Sequence, residues 1–216
     1  MTDPLTLYTA PTPNGRKVSI LLEELGQPYE VVPVDIGAGD QFKPDFLEIS
    51  PNNKMPALVD GDGPALVESL AIIEWLDETY PNPPLLPTDA AGRARVRSLA
   101  YMIACEIHPL NNLRVVTRLG AQFGAGEDAV TDWFSHWVTE TFDAIEATLA
   151  GSPQTGRFCH GDVPSLADIC LYAQVWNNRR FSIPLENWPT IAKIFGELDG
   201  ITAFRNAAPP NQPDAE

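Results

Sequence analysis

Basic residues are scarce in this 216-residue chain: 14 lysines and arginines stand against 29 aspartates and glutamates, a formal charge of −15. Such a field repels nucleic acid and anionic lipid, so neither is expected as a partner. Cysteine is equally thin. Cys105, Cys159 and Cys170 are odd in number, form no Cys-x-x-Cys pair and do not join the three histidines in a ligand cluster. A reducing, cytoplasmic setting and no metal site are the expectation. Long apolar runs are missing too. No stretch approaches the roughly 20 residues that cross a bilayer, and Met1-Thr2-Asp3-Pro4 lacks the basic and apolar parts of a secretion signal. No membrane role is expected. What is present suffices for a core: 44% hydrophobic and 20% charged residues exclude global disorder and suit one domain or two small ones.

Proline, by contrast, is concentrated where it divides the chain. Pro81-Asn82-Pro83-Pro84-Leu85-Leu86-Pro87 holds four prolines in seven residues and can continue neither a helix nor a central strand. It is expected to link, over residues 81–88, a first domain (1–80) to a second (89–216). In the first, Leu5 to Tyr8 reads as a strand, Pro11 to Gly15 as a turn, and Val18 to Leu25 as a helix stopped by Gly26. Tyr29 to Val34 is β-rich, and Pro44 to Ile49 makes a short helix. Ala57-Leu58-Val59 and Ala65-Leu66-Val67 flank the Asp60-Gly61-Asp62-Gly63 turn. Ser69 to Tyr80 closes the domain as a helix with Ser69 as its N-cap. The second domain has helical periodicity almost throughout. Ala90 to about Phe123 reads as one long helix kinked at Pro109. Val130, Phe134, Trp137, Phe142, Ile145 and Leu149 stripe the next, and Ser165 with Asp168 forms a capping box before a third. Pro189 to Leu198 and Ile201 to Ala207 are shorter helices, followed by a polar tail from Pro209. The fold expected is α/β plus all-α: a thioredoxin-like βαβ-α-ββ-α domain, then an all-helical one.

Three places in the first domain can carry chemistry. A cis bond at Met55-Pro56 would turn the Met55 backbone outward, where an extended thiol peptide can pair with it as with a sheet edge; otherwise Pro56 merely opens an edge strand. Glu68-Ser69 stands at a helix N-terminus, which favours a ligand carboxylate, although a cap alone explains Ser69. Thr12 and Asn14 place a hydroxyl and an amide in the first turn, where donors aimed at sulfur lower a thiol pKa; turn formation alone is the plainer reading. Residues 1–80 hold only Arg16, Lys17, Lys43 and Lys54 as cations against fourteen acids, so a solvated face and a local basic rim for a small anion are both open. The three cysteines read as small core residues and His108 as a helix residue, not a base.

These residues resemble the glutathione transferase superfamily over essentially the whole chain. The Tyr8–Val18 segment with Thr12-Pro13-Asn14, the Gly39-Asp40-Gln41-Phe42 run and Ile49-Ser50-Pro51-Asn52-Asn53-Lys54-Met55-Pro56-Ala57 resemble bacterial nu-class and fungal Ure2-like enzymes. That resemblance implies glutathione as co-substrate. It puts Thr12 and Asn14 at the sulfur, Gln41 at the glycyl end with Lys54 beside it, Met55 on the cysteinyl backbone, and Glu68 with Ser69 on the γ-glutamyl end. The second domain is similar to the zeta class, the maleylacetoacetate isomerases, through Ile107-His108-Pro109-Leu110-Asn111-Asn112-Leu113-Arg114, Phe158-Cys159-His160-Gly161-Asp162, Leu166 to Leu171, Gln174 to Phe181 and Gln212-Pro213-Asp214. The zeta resemblance implies that Arg180 takes a carboxylate of the second substrate; the alternative is a buried arginine that pairs helices. Zeta enzymes carry a Ser-Ser-Cys type turn where this chain has Thr12-Pro13-Asn14. The first reading is therefore a homodimeric glutathione transferase acting on a small electrophile or a disulfide. A glutathione-dependent maleylacetoacetate isomerase and a non-catalytic glutathione-binding protein are the alternatives.

Overall fold

A computed structural model describes residues 4–208 and Asn211. It separates into two compact units, one running to Pro84 and taking in the chain from Ile201 onward, the other spanning Leu85–Gly200. The first unit is built on β1 (Leu5–Thr9), α1 (Pro13–Leu25), β2 (Tyr29–Pro33), α2 (Pro44–Ile49), β3 (Ala57–Asp60), β4 (Leu66–Val67) and α3 (Ser69–Thr79). The strands form one sheet in the order β2-β1-β3-β4; β1 and β2 are parallel, and the β1–β3 and β3–β4 pairs are antiparallel. This is the expected thioredoxin-like arrangement, with α1 as the crossover that a parallel pair requires. Leu5, Leu7 and Thr9 alternate inward along β1, and Leu7, Leu21, Leu58 and Ile73 are fully buried.

Helix α1 starts earlier than the apolar spacing suggests. Thr12 caps it, its Oγ1 accepting the Gly15 N–H at 3.2 Å, and Pro13 occupies the first position, where a missing N–H is harmless. Gly26, at φ 60°, ends it as a left-handed cap. Arg16 and Lys17 lie inside this helix and are buried, at 8% and 1% exposure, with partners of their own. They are therefore not a solvated rim. At the other end of the chain α9 (Thr202–Asn206) packs on α1, where Asn206 Nδ2 donates to Glu23 Oε2 at 3.0 Å and Tyr29 Oη donates to Oε1 at 3.1 Å. Burial, with Glu23 alongside, pushes the Tyr29 phenol well above its ordinary value.

The second unit is all-helical, as expected. It contains α4 (Ala90–Tyr101), α5 (Leu113–Phe123), α6 (Glu127–Ala150), α7 (Leu166–Asn178) and α8 (Pro189–Asp199). The single helix expected over Ala90–Phe123 is instead two. The backbone widens into a π-helical turn over Met102–Ile107, with the His108 N–H reaching back to Ile103 O at 3.1 Å, and breaks before Leu113. Pro109 has no N–H to continue the ladder and disfavours helical geometry in the residue before it. Asn112 then caps α5 by accepting the Arg114 N–H. Cys105 sits in the widened turn and is exposed, against the expectation of a core residue; Cys159 and Cys170 are buried. Among the described residues no helix is long and apolar enough to cross a membrane, and no group of three or more metal-ligating side chains gathers.

Helix α7 is buried without a break from Leu166 to Val175, so its start is costly to leave unsatisfied. The fully buried Asp168 carboxylate accepts the Cys159 N–H at 2.9 Å and the Ser165 N–H and hydroxyl at 2.8 and 2.6 Å, completing the expected capping box. Burial pushes this carboxyl up, against the pull of those donors, and burial raises the Cys159 thiol far above reactivity at neutral pH. Arg95 closes the same loop, donating to Cys159 O at 2.7 Å and Thr155 Oγ1 at 2.9 Å. Replacing Asp168 with alanine strands three buried donors. The expected cost is about 3 kcal/mol of unfolding free energy, measurable by urea denaturation, whereas a loss under about 0.5 kcal/mol would contradict the role assigned to this carboxylate.

Candidate functional site

Strand register gathers the predicted residues of the first unit at one end of the sheet. Tyr8 lies opposite Ala57, Ala57 opposite Val67, and Thr9 beside Pro33. The C-terminal ends of β1, β2 and β4 and the N-terminal end of β3 therefore coincide. Thr12 and Asn14 follow β1, Gln41 follows β2, Lys54 and Met55 precede β3, and Glu68 and Ser69 follow β4.

Thr12 and Asn14 are half-buried in the cap and first turn of α1. Because Thr12 Oγ1 already accepts from Gly15, its hydroxyl proton remains free to donate outward. No acidic residue occupies the first turn of α1, so the positive end of the helix is not neutralised. The close packing of this turn depends on Gly15. A Cβ there would stand 2.9 Å from Ala10 O and overlap Thr9 Oγ1, and Thr9 is itself buried.

Gln41 belongs to a 3-10 turn, Asp40–Phe42, bracketed by the Lys43–Asp40 ion pair at 2.6 Å. The hydrogen bond from Lys43 holds the Asp40 carboxyl below its ordinary value. Gln41 Oε1 is buried and accepts no hydrogen bond among the described residues. A buried acceptor without a donor is costly, and a ligand N–H would relieve it.

The Met55–Pro56 bond is cis, the one of the two readings open at Pro56 that the resemblance implies, and Lys54 and Met55 are half-buried. Ser69 is buried at 8% exposure but is the first helical residue of α3, not its N-cap. Glu68 takes the cap position with no side-chain capping bond, at φ 69° and ψ 115°. A non-glycine residue there is strained, and such strain clusters at ligand sites. Two residues given no role from sequence join this group. The hydroxyl of Ser50, which is fully buried, lies 2.8 Å from Asn52 Oδ1 and 2.7 Å from Lys54 O, and Asn52 Nδ2 donates to Glu68 Oε1 at 3.2 Å. Polar side chains in a turn carry no periodic signal, so local sequence could not single them out.

Arg180 lies in the second unit, in a 3-10 turn (Arg179–Phe181) that follows α7, and is exposed. It is not the buried helix-pairing arginine of the alternative reading. Its neighbour Arg179 is already engaged, stacked 3.8 Å over the Trp176 ring centroid. Phe181 anchors the turn by stacking on Phe134 at 3.8 Å. Gln212-Pro213-Asp214 and most of the tail expected from Pro209 lie outside the described residues.

Comparison with known proteins gives a consistent result. Residues 7–84 match the family described as glutathione S-transferase, N-terminal domain. The chain is 44% identical over 201 residues to the maleylpyruvate isomerase of Ralstonia sp, covering 93% of this chain and 94% of that one. Among solved structures, a holo maleylpyruvate isomerase described as a bacterial zeta-class glutathione S-transferase matches with a TM-score of 0.94 and 42% identity, over 98% of this chain and 100% of that one. The maleylacetoacetate isomerase of Methylobacterium extorquens AM1, with bound malonate and glutathione, matches with a TM-score of 0.94 and 39% identity, over 98% and 99%. These similarities run through both units. The zeta likeness, expected only for the second domain, thus extends to the first, and these relatives give no support to a nu-class or Ure2-like first domain.

The geometry around Gly15 gives a direct test. Gly15→Ala is expected to cost about 2 kcal/mol by overpacking, and Thr9→Ala in the same chain to recover part of it. Thermal unfolding of the single and double variants measures both; full stability of Gly15→Ala would mean that the turn has room.

Proposed function

The chain belongs to the glutathione S-transferase family, and from that premise we propose that it is a glutathione-dependent cis–trans isomerase of an unsaturated dicarboxylic acid of the maleylpyruvate or maleylacetoacetate kind. The observation that carries the reading is whole-chain similarity of about 40% to enzymes of that activity. Conjugation or thiol–disulfide exchange, the first reading from sequence, has less support, because these relatives are isomerases across both units. The Thr12-Pro13-Asn14 turn remains a departure from the zeta pattern, but it retains a hydroxyl.

The residues present fit glutathione. Thr12 offers a free hydroxyl proton and Asn14 an amide at an unneutralised helix end, both donors that favour a thiolate. Each unit by which they lower the thiol pKa is worth about 1.4 kcal/mol. Met55 offers its backbone to the cysteinyl residue, Gln41 its unpaired Oε1 to a ligand N–H near the glycyl end, and Lys54 a charge to the glycyl carboxylate. Glu68 and Ser69 take the γ-glutamyl end, its ammonium to the carboxylate and its carboxylate to the start of α3. Glutathione supplies the nucleophile, its sulfur adding to the conjugated double bond, allowing rotation and leaving again, so that nothing is consumed. The chain's residues orient and ionise; no side-chain base is required. Arg180, exposed and with a planar fork of donors, takes a carboxylate of the diacid.

Maleylpyruvate and maleylacetone, supplied with sub-stoichiometric glutathione, are expected to convert fully to their trans isomers. No conversion, with turnover of a haloarene or mixed disulfide, would restore the transferase reading; no turnover of any substrate with glutathione bound would leave a binding protein. Combined Thr12→Ala and Asn14→Ala substitution is expected to lower kcat about 100-fold or more while glutathione affinity changes only a few-fold. Arg180→Ala should raise the diacid KM roughly tenfold and leave the glutathione KM alone. Unchanged kinetics in either variant would remove the residues from these roles.

A further inference from the structure

Two of the segments proposed to hold glutathione, Lys54-Met55 and Glu68-Ser69, are joined by a single side-chain amide. Asn52 Oδ1 accepts the Lys54 N–H at 3.3 Å and lies 2.8 Å from Ser50 Oγ, while Asn52 Nδ2 donates to Glu68 Oε1 at 3.2 Å. The amide is directional: its oxygen faces the first segment and its nitrogen the second. Ser50 fixes it from below. Ser50 is fully buried, its N–H donates to Phe46 O at the end of α2, and its carbonyl accepts the Asn53 N–H. The rigid end of one helix is thereby connected to the first residue before another.

Glu68 gives this connection a purpose. Its backbone occupies the left-handed region at φ 69°, where a non-glycine residue persists only if its surroundings hold it. Its carboxylate is exposed, and exposed carboxylates ordinarily sample several rotamers. With Oε1 tied to Asn52, one rotamer is selected and Oε2 is left for a ligand cation. We infer that Asn52, braced by Ser50, is a positioning residue that orients the Glu68 charge toward the γ-glutamyl ammonium and sets its spacing from the Met55 backbone. The inference rests on the glutathione reading above and names the residues that confer selectivity for the γ-glutamyl group over a shorter thiol peptide.

Asn52→Asp is the informative variant. It keeps the oxygen that accepts from Lys54 and Ser50 but replaces the donor facing Glu68 with a second negative oxygen. In the full-length protein, calorimetric titration with glutathione and with cysteinylglycine is expected to show roughly tenfold weaker glutathione binding in Asn52→Asp, with cysteinylglycine nearly unaffected. The glutathione KM should rise by a similar factor, with kcat within about twofold. Combining Asn52→Asp with Glu68→Gln restores a hydrogen bond of reversed polarity. It is expected to restore the melting temperature but not glutathione affinity, because the charge offered to the ammonium is gone. Equal glutathione affinity in wild type and Asn52→Asp, or equal weakening of both peptides, would overturn the inference alone. No binding of glutathione to the wild-type chain at millimolar concentration would overturn the glutathione reading and this inference together.

Discussion

Register in the four-stranded sheet is the constraint on which the site depends. Tyr8 opposite Ala57 and Ala57 opposite Val67 bring three separate loops to one edge. Because side chains alternate across a strand, a slip of one residue would turn Leu5 and Leu7, buried on one face of β1, to the opposite face. The apolar core therefore enforces the register, and the register positions the polar loops. No loop needs a strong preference of its own. Thr12, Met55 and Glu68 lie 43 and 13 residues apart in sequence but share one end of the fold because apolar side chains elsewhere pack in only one alignment.

Much of this architecture is legible from local pattern. The proline cluster after Tyr80, the Gly26 stop and the Ser165–Asp168 cap each rest on a residue type with one dominant physical behaviour. What was not legible depended on packing. Pro13 is read from sequence as a turn residue, yet it starts α1, since proline suits the first helical position as well as a turn. Pro109 announces a disturbance, but whether a helix bends or separates is decided by the groups that receive the freed carbonyls, and here it separates. Arg16 and Lys17 read as surface cations and are buried; nothing in a one-dimensional pattern distinguishes a charged side chain with partners from one in water.

The site was legible to a different degree. Thr12, Asn14, Gln41, Met55, Glu68 and Ser69 were named from a motif resemblance, and the register brings their segments to one end of the sheet. The direction of the motif was less reliable. Thr-Pro-Asn pointed toward one branch of the family for the first domain, while the whole chain aligns with another. A three-residue turn carries less information than two hundred residues of core and loop. Its donors report what sulfur chemistry needs, which is common to many branches, whereas the diacid specificity proposed here depends on residues such as Arg180 in the second unit. The Ser50–Asn52–Glu68 chain was not legible at all, since its members are ordinary turn residues until their partners are known.

The docking of α9 on α1 also bears on how the molecule is made. The first unit is discontinuous: it opens the chain, gives way to more than a hundred residues of helical structure, and is finished by Thr202–Asn206. On the ribosome the sheet and its helices emerge first, but the face of α1 that receives α9 waits until the whole of Leu85–Gly200 has been synthesised. Until then Glu23 lacks the Asn206 amide that later joins Tyr29 on its carboxylate. Closure of the first unit is thereby postponed until the helical residues between its two parts have been made, so a product cut short before Thr202 would emerge with that face of α1 uncovered.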